Sequence, residues 1–243
     1  FGDPASGSQG PVHSPVHANL LNPFSLTFTN TSANGTFKPV YLHDGLKVPN
    51  ANALTVGIRV SPANSYQTTA ALVGGGTFIQ NGAVQVDNST TVGGSGLLPW
   101  LDLSGLTNFI MTNASATITV AGTSSGSEAR GSGRLDLAET NLITASSINV
   151  ALGTGNGGIG GTLNLGGGSN VINVGTINLA AGKINNATMK FLGETGGLRL
   201  RGVTGADSDR SVTITLGNRS NSGSGTPTGV MDFTGGHPVD VKV

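Results

Sequence analysis

The stretch "NVINVGTINLAAG" at 170–182 lies without a gap over "NLITASSINVALG" at 141–153, an offset of 29 residues (170 minus 141). A further copy, "NFIMTNASATITVAG" at 108–122, fits once two extra residues are allowed in its middle. What precedes each copy recurs too: "LDLSGLT" from Leu101, "LDLAET" from Leu135 and "LNLGGGS" from Leu163, 34 and 28 residues apart. A fixed period of this length marks a solenoid, in which each repeat buries its apolar face only by stacking on its neighbours.

Within a unit the apolar residues alternate, as in Leu163 to Leu165, Ile172 to Val174 and Ile177 to Leu179, with Gly, Ser or Thr at the borders. Alternation of this kind gives short strands with one face inward. The 40 glycines among 243 residues, and the lack of a sustained i, i+3, i+4 pattern, exclude helix as the main element. The expected fold is therefore all-β: a right-handed parallel β-helix, with about three strands per coil of roughly 28–30 residues. Leu101, Leu135 and Leu163 are expected to form one inward column, and Gly182 a corner.

The coil is expected over residues 51–243, with Gly- and Ser-rich insertion loops near 122–133 and 217–229. Residues 1–50, rich in proline, are expected to form an extended arm or cap, since proline does not suit a central strand. Open ends of a solenoid need a cap or a partner, so self-association through the arm and the solenoid ends is expected. The chain begins with Phe1, which suggests a processed or excised segment.

Twelve basic and twelve acidic side chains balance, which removes the electrostatic basis for nucleic-acid binding. No apolar run reaches the roughly 18 residues of a membrane-spanning helix. The absence of cysteine excludes disulfides and zinc–thiolate sites.

Candidate sites are few. Asn108, Asn141 and Asn170 share one expected column, where stacked amides would form a structural ladder rather than a ligand set. Asp102 above Asp136 places two like charges about one strand spacing apart, which is unfavourable without a basic neighbour or a calcium ion, and splayed, solvated side chains are the plainer reading. Asp207, Asp209 and Arg210 in "VTGADSDRS" form the densest charge cluster. A polysaccharide lyase or hydrolase would need paired carboxylates there, but a solvated turn is the plainer reading. His13 and His17 are separated by Pro15, which removes the helix that would make them a metal pair, and His237 stands alone. Thr117 and Thr119, with Thr213 and Thr215, suggest the hydroxyl rows of ice-binding solenoids, but Asn149 and Asn178 interrupt them. The sequons at Asn30, Asn34, Asn88, Asn113, Asn186 and Asn218 arise cheaply in a chain rich in Asn, Ser and Thr. No catalytic, cofactor or metal residues are assigned.

The segments "LDLSGLTNF", "GRLDLAETNLITASSINVALG" and "GTLNLGGGSNVINVGTINLAAGKINNATMKF" resemble the β-helix repeats of secreted bacterial proteins of the autotransporter-passenger type, over roughly residues 100 to 200. That resemblance implies an extracellular or cell-surface location and a role among adhesins, surface fibres or filaments, with some enzymes in the same group. The leading expectation is a non-catalytic structural or adhesive solenoid with a cell-surface partner. The alternative is a β-helix that binds or cleaves a glycan.

Overall fold

The computed structural model describes residues 26–28, 35–36, 39–42, 47–50, 52–57, 68–87, 99–122, 132–153, 158–182, 184–219 and 225–243. In chain order the strands are β1 (Leu26–Phe28), β2 (Gly35–Thr36), β3 (Val40–Tyr41), β4 (Lys47–Asn50), β5 (Leu54–Val56), β6 (Thr68–Val73) and β7 (Thr77–Gln80). They continue as β8 (Val84–Val86), β9 (Trp100–Gly105), β10 (Asn108–Thr112), β11 (Thr117–Val120), β12 (Ser132–Asp136), β13 (Thr140–Leu152) and β14 (Gly158–Leu165). The last are β15 (Ser169–Ala181), β16 (Ile184–Phe191), β17 (Gly197–Arg201), β18 (Thr213–Leu216), β19 (Thr228–Asp232) and β20 (Val239–Val241). The described residues contain no helix, and so none long and apolar enough to cross a membrane.

The strand pairings are parallel, and they build a β-solenoid. An eight-stranded sheet, in the order β19-β16-β14-β12-β9-β6-β2 with β3 also on β6, forms the first face. A twelve-stranded sheet forms the other two. Its second-face strands are β4, β7, β10, β17 and β20, and its third-face strands are β1, β5, β8, β11 and β18. The 13-residue strands β13 and β15 run through the corner and serve both faces.

Alternation puts one aliphatic column inside each face. On the first face Ala70, Leu101, Leu135, Leu163, Met189 and Met231 align. On the third face the column is Leu54, Val84, Ile118, Ile148, Ile177 and Ile214. Leu101, Leu135, Leu163, Ile118, Ile148 and Ile177 have no exposed surface. Each such side chain contributes about 1.5–3 kcal/mol by leaving water. Phe78 and Phe109, stacked with centroids 6.2 Å apart, carry the second-face column through its lower coils.

Two expectations change. The ladder reaches into residues 1–50, because β1, β2, β3 and β4 pair in parallel with β5, β6 and β7. Proline does not prevent this. The Asn50 carbonyl accepts a hydrogen bond from the Asn81 N–H, so Asn50 faces β7 and its neighbour Pro49 faces away from it, to the side where no strand pairs with β4 among the described residues. The expectations for residues 1–25, including His13 and His17, lie outside the described residues, as do most of the loop near 122–133 and residues 220–224 of the loop near 217–229.

The second change is the register of the 108–122 copy. Asn108 stands opposite Thr77 and Thr140, while Phe109 takes the column of Asn141. The offset between the two coils is 34 residues at Leu101/Leu135, 32 at Phe109/Asn141 and 30 at Ile118/Ile148. Two residues are therefore inserted at each of two corners, not at one. Phe109 and Met111, fully buried, gain more from the interior than Asn108 would, and that preference sets the register.

Candidate functional site

The polar residues of the coil fall into four places. The first is the corner before the second face, where the asparagine ladder has two rungs and not three. Asn141 Nδ2 donates to Asn170 Oδ1 at 2.7 Å and also to the Ala138 carbonyl. Asn170 Oδ1 accepts from the Gly166 N–H, and its Nδ2 donates to the carbonyls of Gly166 and Gly197. Both residues are buried. Asn108 is excluded from this ladder and donates instead to Thr77 Oγ1 at 3.1 Å. Phe109 below and Leu198 above end the column.

Comparable amide ladders occur elsewhere. Asn50 Nδ2 donates to Gln80 Oε1 at 2.7 Å, and Gln80 Nε2 donates to the carbonyls of Asn52 and Gly82. The signal for it was available, since "PNANALTV" lies over "IQNGAVQV" with the same 30-residue step. On the outside of the third face Asn178 Nδ2 donates to Asn149 Oδ1 at 2.8 Å, and Asn149 Nδ2 to Ser147 Oγ. These ladders pair amide groups that stacking would otherwise leave without partners, although the buried Oδ1 of Asn141 accepts no hydrogen bond among the described residues.

The second place is the outward column of the first face, where Asp102, Asp136 and Asn164 align. Splayed, solvated carboxylates were the plain expectation here, and Asp136 departs from it with only 1% of its surface exposed. Arg134 Nε donates to Asp136 Oδ1 at 2.9 Å and Nη2 to Oδ2 at 2.7 Å. Trp100 Nε1 and Asn164 Nδ2 complete the shell at 3.1 and 2.6 Å. The Arg134 guanidinium also lies 4.4 Å from the centre of the Trp100 ring. The cation that the two aspartates require is therefore Arg134. Its pKa is raised chiefly by the hydrogen bond to Asp136, so it stays charged. Asp102 is turned toward its own strand and accepts from the Ser104 N–H and hydroxyl.

The third place is the outer side of β17. Asp207 accepts from Arg199 at 3.0 Å and from Arg201 at 3.1 Å, with Lys242 Nζ 3.8 Å away. Arg201 also binds Asp240 and has 1% of its surface exposed. Asp209 accepts from the N–H and hydroxyl of Thr204 and from those of Ser211. The loop 202–211 thus folds back as a thin layer over β17. Hydrogen bonds from the arginines hold the Asp207 carboxyl below its ordinary range, and those from Ser211 and Thr204 do the same for Asp209. The solvated turn expected of this stretch is an ion-paired flap, and Arg210 at its end is exposed. The role of Arg201 carries little signal in the sequence, because its partner Asp240 lies 39 residues away.

The fourth place is a groove of about 490 Å³ at the corner between the first and second faces. Glycines of successive coils form its floor, and Ser169, Glu194, Thr195 and His237 stand along it. The His237 ring stacks on Phe191 with centroids 3.8 Å apart, and its Nδ1 lies 3.2 Å from the Gly196 carbonyl oxygen. Among the described residues no three His, Cys, Asp or Glu side chains gather as a metal ion would require.

Fold and side chains together define a parallel β-solenoid whose carboxylates in the second and third places are engaged by its own donors. No known protein family, curated protein or solved structure matches the chain.

Proposed function

We propose that the chain is a non-catalytic extracellular β-solenoid, serving as a surface fibre, spacer or adhesive module of the kind found among autotransporter-type passengers. One observation carries this reading. Asp136, Asp207, Asp209 and Asp240 are each committed to an arginine or a loop hydroxyl of the same chain. A carboxylate held in this way is a poor general acid or base, because its lone pairs are taken. Rigid columns and self-satisfied polar groups suit a scaffold.

A glycan-binding role is the second reading, favoured by the glycine-floored groove beside Glu194 and His237. A glycan array combined with a reducing-sugar assay tests both. Neither binding nor turnover is expected from a spacer, retention of a glycan without turnover would support the second reading, and turnover of any polysaccharide would overturn the first.

A further inference from the structure

Among the described residues, carboxylates without a partner occur only at the groove between the first and second faces. Each described aspartate accepts a hydrogen bond from its own chain. Glu139 and Glu194 accept none, and both stand at the groove. No lysine or arginine lines it.

The corner is stacked from successive coils. The Gly168 N–H donates to the Glu139 carbonyl, and the Gly197 N–H to the Gly168 carbonyl. Glu139 therefore belongs to the coil on one side of Gly167 and Gly168, and Glu194 to the coil on the other. Two strand spacings, roughly 10 Å along the rod, separate the backbones of the two acids. Glycine keeps the floor between them bare. A Cβ on Gly167 would lie 3.1 Å from Glu139 Oε2 and 3.1 Å from Thr195 Oγ1, and one on Gly168 would lie 3.1 Å from Thr140 Oγ1. Oxygens from the coils on both sides thus converge over the two glycines. Gly167 has no positive φ, and the atoms nearest its Cβ position are side-chain ends, so the fold itself does not demand glycine there.

We propose that this groove holds a glycan that carries free amino groups, lying along the rod with its ammonium groups against Glu139 and Glu194. The inference rests on the glycan-binding reading and goes beyond it by naming the charge of the ligand and its two acceptors. Electrostatics selects the sign. With no lysine or arginine in the groove, an acidic sugar meets repulsion, whereas an ammonium finds two free carboxylates. Ser169 and Thr195 offer hydroxyls to those of the sugar, and the His237 ring, held on Phe191 with centroids 3.8 Å apart, gives a fixed wall. A basic peptide fits less well. The Gly168 and Gly197 N–H groups are already used between coils, so an extended peptide gains no strand pairing from them.

Calorimetric titration of the full chain with a glucosamine oligomer tests this, beside its fully N-acetylated form and an oligogalacturonate of the same length. The free-amine oligomer is expected to bind at least about tenfold more tightly than the acetylated one, and the galacturonate not at all. Glu139→Gln and Glu194→Gln should each weaken binding at least about threefold, and together about tenfold. Their thermal melts should be unchanged, since both side chains are exposed and unpartnered. Equal affinity for the free-amine and acetylated oligomers, or an unchanged double variant, would overturn the inference and leave the glycan reading standing. Tighter binding of an oligolysine than of any sugar would overturn it in favour of a peptide. If no glycan binds at all, the glycan reading falls with it, so the two failures are distinguishable.

Discussion

At the scale of single residues, the amide hydrogens of Asn141 and Asn170 and the charges of Asp136, Asp207 and Asp240 find partners within the chain, and the cost of removing each follows from those partners. Asn170→Ala strands the Gly166 N–H and leaves the Gly166 and Gly197 carbonyls without their amide donor. It is expected to lower stability by about 2–3 kcal/mol in urea denaturation, whereas Asn108→Ala should change it by no more than about 0.5 kcal/mol. Equal losses would mean that Asn108 belongs to the ladder after all. Asp136→Ala removes the acceptor of Arg134, Trp100 and Asn164 at once, and a loss of about 2–3 kcal/mol is expected from the same measurement. The pairing of Asn141 with Asn170 was legible because both sit in repeats aligned without a gap. The false third rung came from the gapped copy, where one polar letter outweighed the volume of Phe109 and Met111. Arg134 was legible too, two residues from Asp136 on the same side of a strand, but spacing alone does not reveal burial.

At the scale of strands and corners, the limit is how closely successive coils approach. A Cβ built on Gly166 would lie 1.7 Å from the Ala138 carbonyl oxygen, while one on Gly160 would meet nothing within 4 Å. Gly166→Ala should therefore cost about 3 kcal/mol or more of stability. Gly160→Ala should be neutral or stabilise by up to about 1 kcal/mol, because the unfolded chain loses freedom. Paired thermal melts of the two variants decide the matter, and a similar shift in both would refute the close approach. Gly182, expected at a corner, does have a positive φ of 146°. The neighbouring bend was not legible, because alanine makes it: Ala121, Ala151 and Ala180 have φ of 58°, 55° and 59° at equivalent points of three coils. Left-handed alanine costs about 1–2 kcal/mol, so no sequence rule assigns it to a turn. All three are fully buried, and the strand pairs on either side impose the conformation.

For the whole molecule, the repeat made the solenoid legible before any side chain was placed, but it said nothing of how stability is distributed along the rod. The depressed carboxylates gather at one end: Asp207, Asp209, Asp232 and Asp240 all titrate below the ordinary range. Their causes are hydrogen bonds, chiefly from Arg199 to Asp207, Ser211 to Asp209, Thr234 to Asp232 and Arg201 to Asp240. In the unfolded chain these groups titrate near about 3.9, so between the two values the unfolded state binds more protons. The stabilisation is complete above roughly pH 5 and is lost as pH falls through about 4 toward the native values. Arg201, charged throughout because its own pKa is raised, would then lie beneath the flap without a counter-ion. A solenoid couples only neighbouring coils, so acid should open the β17–β20 end first while β12 to β16 stay closed. Hydrogen exchange between pH 5 and 3, corrected for intrinsic rates, should show protection falling in β17, β18 and β20 before β13 and β14. Asp209→Asn should lower stability near pH 7 and flatten the acid limb of the melting curve. Protection lost evenly along the rod, or an acid limb unchanged in that variant, would show that the end is not held by its carboxylates.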